Sequence, residues 1–335
     1  MGTAKSLKEY LHRVSQSEIK INISGRNIKL EYVSCDLCGS NKTKELYRTR
    51  DERFKTCDYQ FSVVECKSCG LAYLNPRPDY VSMQAFYPEQ FFKNRDDTEK
   101  ALCKYEREFG KISRLSGRLL DMGCANGGFA LYAEENGFKA EGLETADKAR
   151  NPNALKIHKS FNEIPDSSFD VVTAWAVFEH LHDPKKYFKE IAHVLKKDGE
   201  FIFLVPNFAS YRSKAMMYED IPRHLFFYTP KIVNQYLNKA GLELDFIEQD
   251  NSIYYGGHRK FLVYLALKCI NRSFLYRHRK NLWENYQMGV TPLWELIYLS
   301  PFEHLDRLVH RHITKWFVNK GMNGTMIVYA RKRNE

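Results

Sequence analysis

The sequence contains no long hydrophobic run. Its longest uninterrupted apolar stretch, residues 261–267, is seven residues long, whereas a membrane-spanning helix needs about 20. The first 30 residues also lack the apolar segment of a secretory signal peptide. We therefore expect a cytoplasmic protein, whose 8 cysteines stay reduced because that compartment does not favour disulfides.

A complete dinucleotide-binding fingerprint is also missing. Residues 119–128 read LLDMGCANGG, an apolar strand that ends on Asp121 and continues into a glycine turn. The fingerprint Gly-x-Gly-x-x-Gly requires glycine where Ala125 stands. The carboxylate of Asp121 at the mouth of the turn would repel a phosphate and attract a cation. A second strand ends on Glu144, placed to hold ribose hydroxyls.

This segment resembles the first motif of class I S-adenosylmethionine-dependent methyltransferases, Asp-x-Gly-Cys-Gly-x-Gly, with Ala125 in place of the middle glycine. S-adenosylmethionine has a sulfonium and an ammonium group and no phosphate, so it suits a site where a carboxylate attracts cations and repels phosphates. The resemblance implies a doubly wound, seven-stranded α/β sheet with strand seven antiparallel. It also implies a set of cofactor-binding positions: Asp121, Gly123, Cys124, Gly127, Glu144, Thr145 and Trp175.

Four of the cysteines form two Cys-x-x-Cys pairs, Cys35 with Cys38 and Cys66 with Cys69. A glycine follows each pair, as in a zinc knuckle, and 27 residues separate the pairs. Four thiolates in two knuckles can close a tetrahedral structural zinc site. The alternatives are reduced pairs without metal, or a redox-active pair.

The second pair opens the segment CGLAYLNPRP at residues 69–78. With the glycine motif, this segment resembles type 23 methyltransferase domains that carry an N-terminal zinc ribbon and are related to sugar O- and C-methyltransferases. The resemblance implies methylation of a sugar hydroxyl on a nucleotide-activated or lipid-linked glycan intermediate. Two alternatives stay open: a deoxysugar C-methyltransferase, and a non-catalytic methyltransferase fold that binds RNA or a protein.

Two histidine-containing segments follow predicted strands and supply candidate proton acceptors. The first, VFEHLHDP, contains His180 and His182, and the second, DIPRHLFFYT, contains His224. Imidazole titrates near neutral pH and can take a proton from a hydroxyl. We favour His224 over His180 as the base, although structural roles are open for both. A metal site of Glu179 with His180 and His182 is disfavoured, because histidines two residues apart diverge on a helix.

Three further side chains are candidates for substrate contact. Arg223 and Tyr228 lie beside His224 in the sequence, and His182 lies beside His180. Arg223 would bind an anionic group, and Tyr228 would stack on the substrate or bond to it. A turn that leads into a helix is the structural alternative for the segment that contains Arg223 and Tyr228.

The predicted organisation has five parts. They are an N-terminal segment with the zinc ribbon (1–80), a helical lid over the cofactor (81–115), the methyltransferase core (116–250), a basic helical cap inserted between strands six and seven (251–321), and the final strand and tail (322–335).

Most of the net charge of +10 lies in the last quarter of the chain. Residues 258–280 contain seven Lys or Arg and no acid, interleaved with aromatic and aliphatic residues. This composition fits peripheral contact with an anionic membrane, at the inner face where lipid-linked glycans are built. A buried helix fringed by cations is the alternative. Nucleic-acid binding is disfavoured, because the charge is a local patch.

Overall fold

The computed structural model describes residues 19–23, 25–88, 98–145, 155–210, 220–249, 253 and 324–333. The predicted cap (251–321) and its basic segment (258–280) lie outside the described residues, apart from Ile253. Within the described ranges, no helix is long and apolar enough to cross a membrane.

Fourteen strands and four α-helices make up the described structure. In chain order, the strands are β1 (Ile19–Ile23), β2 (Arg26–Glu31), β3 (Thr43–Thr49), β4 (Phe61–Cys66), β5 (Ala72–Leu74), β6 (Arg77–Pro78), β7 (Gly117–Met122), β8 (Phe138–Leu143), β9 (Ile157–His158), β10 (Phe169–Trp175), β11 (Leu195–Pro206), β12 (Phe226–Phe227), β13 (Leu242–Glu248) and β14 (Thr325–Lys332). The helices are α1 (Thr98–Phe109), α2 (Gly128–Glu135), α3 (Pro184–Val194) and α4 (Pro230–Ala240).

The largest sheet has seven strands in the order β13-β14-β11-β10-β7-β8-β9. Strands β7 to β11 pair in parallel, and β14 runs antiparallel between β11 and β13. This topology confirms the predicted doubly wound sheet with an antiparallel seventh strand. Parallel strands covered on both faces read as apolar runs, as β10 does with six of its seven residues buried.

The helices that cover this sheet begin and end at local sequence signals. In α4, the hydroxyl of Thr229 accepts a hydrogen bond from the Ile232 amide, Pro230 occupies the first turn, and Gly241 ends the helix in the left-handed conformation. Helix α3 also starts with proline, at Pro184. A buried aromatic cluster packs these helices on the sheet. Its members are Phe188 of α3, Tyr236 of α4, Phe201 and Phe203 of β11, and Phe178.

A smaller antiparallel sheet carries the cysteine pairs and has the order β12-β5-β4-β3. Its edge strand β12 comes from the segment that follows β11, and pairs Phe226 with Tyr73 and Phe227 with Ala72. The Leu74 amide also donates to the Leu225 carbonyl at 2.9 Å. The cysteine-rich module is therefore joined to the large domain by main-chain pairing.

Candidate active site and metal centre

The glycine turn after β7 has the shape that the motif requires, despite its missing glycine. Gly123 and Gly127 have φ of 72° and 80°, and Ala125 has φ of 52°. The alanine thus adopts the left-handed conformation that glycine would supply, at a cost of about 1–2 kcal/mol. Asp121 precedes the turn, is 3% exposed, and accepts a hydrogen bond from Thr173 Oγ1 at 2.8 Å.

Glu144 lies against this turn, just after β8. Its Oε2 accepts a hydrogen bond from the Ala125 amide at 3.1 Å. The amides of Gly123 and Cys124 donate to the Leu143 carbonyl at 2.8 and 3.3 Å. The structure therefore brings the predicted acid at the end of β8 to the glycine turn, at the carboxyl edge of the parallel sheet.

The other predicted cofactor positions surround the same turn. Gly127 is the N-cap of α2. Trp175 ends β10 and packs edge-on against Phe129, with ring centroids 5.5 Å apart. Thr145 is exposed at the end of β8. Buried Trp175 Nε1 has no hydrogen-bond partner within the described part of the chain, so this cleft holds an unused donor.

Glu108 of α1 adds a carboxylate that the sequence did not reveal. Its side chain is buried, and burial raises its pKa to about 7 although Lys104 Nζ lies 3.4 Å from Oε1. Burial also raises the pKa of Asp121 to about 8; the Thr173 hydrogen bond opposes this, and the charges of Glu108 and Glu144 increase it. A buried carboxylate whose pKa is raised by burial and by neighbouring carboxylates, as that of Asp121 is, marks a cleft suited to a cation.

His180 lies in a short 3₁₀ turn directly after β10. Its Nδ1 is 2.9 Å from the carbonyl oxygen of Arg223 and 3.3 Å from the hydroxyl of Tyr87. Since a carbonyl only accepts, we assign the proton to Nδ1, which leaves a lone pair on Nε2. Burial, followed by the neighbouring His224, lowers the pKa of His180 to about 3. The ring is therefore neutral.

The predicted bases lie together. The rings of His180 and His224 have centroids 4.8 Å apart in an edge-to-face arrangement. Glu179 joins them: one ligand atom from each of Glu179, His180 and His224 lies within 4.8 Å of the other two. Sequence spacing does not reveal this triad, because its members come from the turn after β10 and from the segment before β12.

Arg223 has a different environment from the predicted substrate contact. Its guanidinium is fully buried and donates to both carboxylate oxygens of Asp51, at 2.8 and 3.1 Å. Further bonds reach Asp220 at 2.9 Å and the Phe86 carbonyl at 2.9 Å. These partners occupy the guanidinium from all sides, so its geometry is that of a structural clamp and not of a site for a substrate anion.

The remaining predicted substrate contacts also bond to the protein. Tyr228 is buried, and its hydroxyl donates to the Phe178 carbonyl at 3.2 Å. This position does not fit stacking on a substrate. His182 is half-buried, and its Nε2 lies 3.1 Å from the Pro78 carbonyl. Its ring therefore packs on the segment that follows the second cysteine pair.

The four predicted metal ligands converge at one point. The Sγ atoms of Cys35 and Cys69 are 3.5 Å apart, as are those of Cys38 and Cys66, and all four lie within 4.8 Å of one another. A tetrahedral zinc with Zn–S bonds of about 2.3 Å would separate its sulfurs by about 3.8 Å. The donor set and its spacing fit a structural metal ion.

The first knuckle also docks on the helices of the large domain. Asp36 Oδ2 accepts hydrogen bonds from the Tyr236 hydroxyl at 2.8 Å and from the Lys185 amide at 3.1 Å. Burial raises the pKa of Asp36, and the bond from Tyr236 opposes this rise. One residue between Cys35 and Cys38 thus links the metal ligands to α3 and α4.

A family model matches the part of the chain that forms most of the large sheet. Residues 93–245 match the family model described as a methyltransferase domain, which confirms the resemblance seen in the sequence. A sarcosine/dimethylglycine N-methyltransferase from Halorhodospira halochloris is 29% identical over 172 residues, covering 44% of this chain and 61% of that protein. A ubiquinone biosynthesis O-methyltransferase from Idiomarina loihiensis is 29% identical over 103 residues, covering 27% and 42%.

The chain therefore spans less than two thirds of the length of these curated relatives. Among solved structures, an S-adenosylmethionine-dependent methyltransferase from Mesorhizobium loti aligns with a TM-score of 0.40 and 13% identity, covering 69% of this chain and 98% of that one.

Proposed function

We propose that this chain, whose residues 93–245 match the model of a methyltransferase domain, transfers the methyl group of S-adenosylmethionine to a hydroxyl of a small-molecule acceptor. One observation carries this proposal: the acidic cleft at the glycine turn and the pair of His180 and His224 lie at the same edge of the sheet. Asp121 pairs with Thr173 across β7 and β10, and His180 follows β10.

The cleft suits the cofactor. S-adenosylmethionine, when bound, supplies a methyl group that its sulfonium already activates. Asp121 and Glu108 would face a ligand that carries positive charge without phosphate, and ionising them would then be favourable. Glu144, held by the Ala125 amide, would accept hydrogen bonds from ribose hydroxyls. Trp175 offers its unused indole N–H at the same edge.

The histidine pair favours an oxygen acceptor over an amine. A neutral amine already has a lone pair, whereas a hydroxyl must lose its proton as the new bond forms. His180 presents an unprotonated Nε2, because Nδ1–H bonds to the Arg223 carbonyl. His224 lies in edge contact with it. His224 is the better proton acceptor of the two, because burial lowers the pKa of His180 to about 3, far from the neutral range in which a general base works best. The surrounding turn would hold the acceptor in line with the methyl group.

The acceptor that we propose is a sugar hydroxyl on a nucleotide-activated or lipid-linked glycan intermediate. The proposal of this acceptor rests on the cysteine-rich module and its Asn-Pro-Arg-Pro segment, which resemble those of sugar methyltransferases. The relatives named above are an N-methyltransferase and an O-methyltransferase with different acceptors, so the acceptor of this chain is tested directly by methyl transfer. We also propose that Cys35, Cys38, Cys66 and Cys69 hold a structural zinc ion, on the evidence of their four converging sulfurs.

The test has two stages. Calorimetric titration with S-adenosylhomocysteine measures cofactor binding alone, and its absence would overturn the methyltransferase assignment. Radiolabelled methyl transfer is then followed with nucleotide sugars, lipid-linked sugars, phenols and amines. Transfer to sugar oxygen supports the full proposal, and transfer only to phenols or amines would overturn its acceptor. Transfer to a sugar carbon, with exchange of that carbon's proton for solvent deuterium, would identify a C-methyltransferase.

A further inference from the structure

A second cluster of metal-ligating side chains lies apart from the four cysteines. It consists of Glu179, His180 and His224, whose ligand atoms all lie within 4.8 Å of one another. We propose that these three side chains bind a divalent cation at the acceptor edge of the sheet.

The main chain holds the two halves of this triad together. Glu179 and His180 belong to the turn after β10, and His224 belongs to the segment before β12. The Leu225 amide donates to the Glu179 carbonyl at 2.7 Å, and His180 Nδ1 donates to the Arg223 carbonyl at 2.9 Å. Each bond joins a residue of one segment to a direct neighbour of His224. The spacing of the triad is therefore fixed by the fold.

The His180 ring is oriented as a metal ligand normally is. Metal-binding histidines usually donate their second ring N–H to a carbonyl or carboxylate, which fixes the ring and its tautomer. The Arg223 carbonyl has this role, and the Arg223 side chain is itself clamped by Asp51 and Asp220. The Asp220 amide donates to Nδ1 of His224 at 3.4 Å. This bond is long, and in the neutral ring it leaves the proton on Nε2, so His224 would release that proton when a cation binds at Nε2.

The donor set selects a different cation from the cysteine cluster. Four thiolates suit zinc in a closed site, whereas two imidazoles and one carboxylate suit manganese, iron, cobalt or zinc and leave coordination positions open. If the proposed function holds, an acceptor with two adjacent oxygens, such as vicinal hydroxyls, could occupy those positions. A cation bound to both rings would use the histidine lone pairs, so it would replace the histidine base: it would acidify the bound hydroxyl, whose proton leaves to water as its oxygen attacks the methyl carbon and the C–S electron pair stays on sulfur.

Manganese titration of the purified full-length protein tests the site. Mn²⁺ prefers oxygen and nitrogen ligands and does not compete for the thiolates, so the cysteine cluster keeps its metal. Free Mn²⁺ is measured by electron paramagnetic resonance, without cofactor or acceptor. We expect one saturable Mn²⁺ per chain, with affinity reduced at least ~10-fold in Glu179→Gln and in His224→Ala. The matched surface variants Glu134→Gln and His193→Ala, whose side chains are exposed, should bind Mn²⁺ like the parent.

Zinc content, thermal unfolding and S-adenosylhomocysteine affinity are measured on the same samples. A parent without saturable Mn²⁺ binding would overturn the site, as would variants that stay folded and bind Mn²⁺ with unchanged affinity. If one of the two variants fails to fold, the Mn²⁺ affinity of the other variant decides whether the site exists. A parent that binds Mn²⁺ but not S-adenosylhomocysteine would retain the cation site and contradict the methyltransferase assignment instead.

Discussion

Replacement of Asp51 by asparagine would show how firmly the cysteine-rich module is held to the large domain. Asp51 is fully buried and receives two hydrogen bonds from the Arg223 guanidinium. The Thr56 hydroxyl donates a third, at 2.7 Å. Asparagine keeps the shape but removes the charge and one acceptor. Arg223 would then be a buried cation with Asp220 as its single carboxylate partner among these groups.

The loss of stability follows from the burial of both partners. Breaking a buried ion pair from one side costs about 3–5 kcal/mol, because a buried charge is left uncompensated. Asp220 continues to bond to Arg223, so we expect the lower end, about 3 kcal/mol. The matched control is Asp58→Asn, whose carboxylate pairs with Arg50 at 3.2 Å while fully exposed. Exposed pairs contribute little, and this control should unfold like the parent.

Urea unfolding followed by tryptophan fluorescence measures this difference, and the slope of the transition reports whether the same surface is exposed in each variant. A separate readout is the turnover of Asp51→Asn at a temperature where it stays folded. The clamp supports the Arg223 carbonyl that orients His180, so turnover should fall more than affinity for S-adenosylhomocysteine. An Asp51→Asn protein within about 1 kcal/mol of the parent would refute the assignment of the clamp as a stabilising buried ion pair.

Four further outcomes are expected. Glu144→Ala should weaken S-adenosylhomocysteine binding about tenfold to a hundredfold in calorimetry, through loss of charge-assisted ribose bonds; unchanged affinity would contradict its role. Because burial raises the pKa of Asp121 to about 8 and that of Glu108 to about 7, S-adenosylmethionine binding at pH 7 should release protons as these carboxyls ionise beside the cation. Titrations in buffers of different ionisation enthalpy measure this release, which Asp121→Asn should reduce; an unchanged release would contradict the ionisation of Asp121. His224→Ala should lower turnover about 10²-fold or more with cofactor affinity retained, and equal turnover would exclude His224. Cys66→Ser should remove zinc from the purified protein, as metal analysis would show, and unfold the cysteine-rich module; a zinc content equal to the parent's would contradict the ligand set.

Local signals in the sequence account for most of the large sheet. Strand β10 and helix α4 were predictable at their observed bounds, because an apolar run and a Thr-Pro start with a glycine end specify their own limits. The start of β11 was not predictable. Residues 196–199, KKDG, read as a cationic helix end followed by glycine, but the strand already begins at Leu195, which pairs with Phe169.

Contacts between segments that are distant in the chain could not be predicted from sequence patterns. The pairing of β12 with β5 involves two residues on each side, too few to produce a periodic signal. Glu179 meets His224, and Asp51 meets Arg223, only because this pairing brings their segments together. The role of the basic segment at 258–280 stays a prediction, since those residues lie outside the described structure.

Arg223 shows why a residue type and its neighbours do not determine a role. An arginine beside a histidine and aromatic residues, at the ligand edge of a sheet, is equally typical of an anion site and of a buried clamp. The decisive factor is Asp51, an acid from a different module with a side chain that is completely buried. A buried carboxylate needs a cation nearby, and Arg223 meets this need while its carbonyl orients His180. Asp51 is therefore one link between the cysteine-rich module and the histidine pair, and the main-chain bonds from Leu74 to Leu225 and from Leu225 to Glu179 are another. Loss of the metal ion should act on the sheet edge through these contacts.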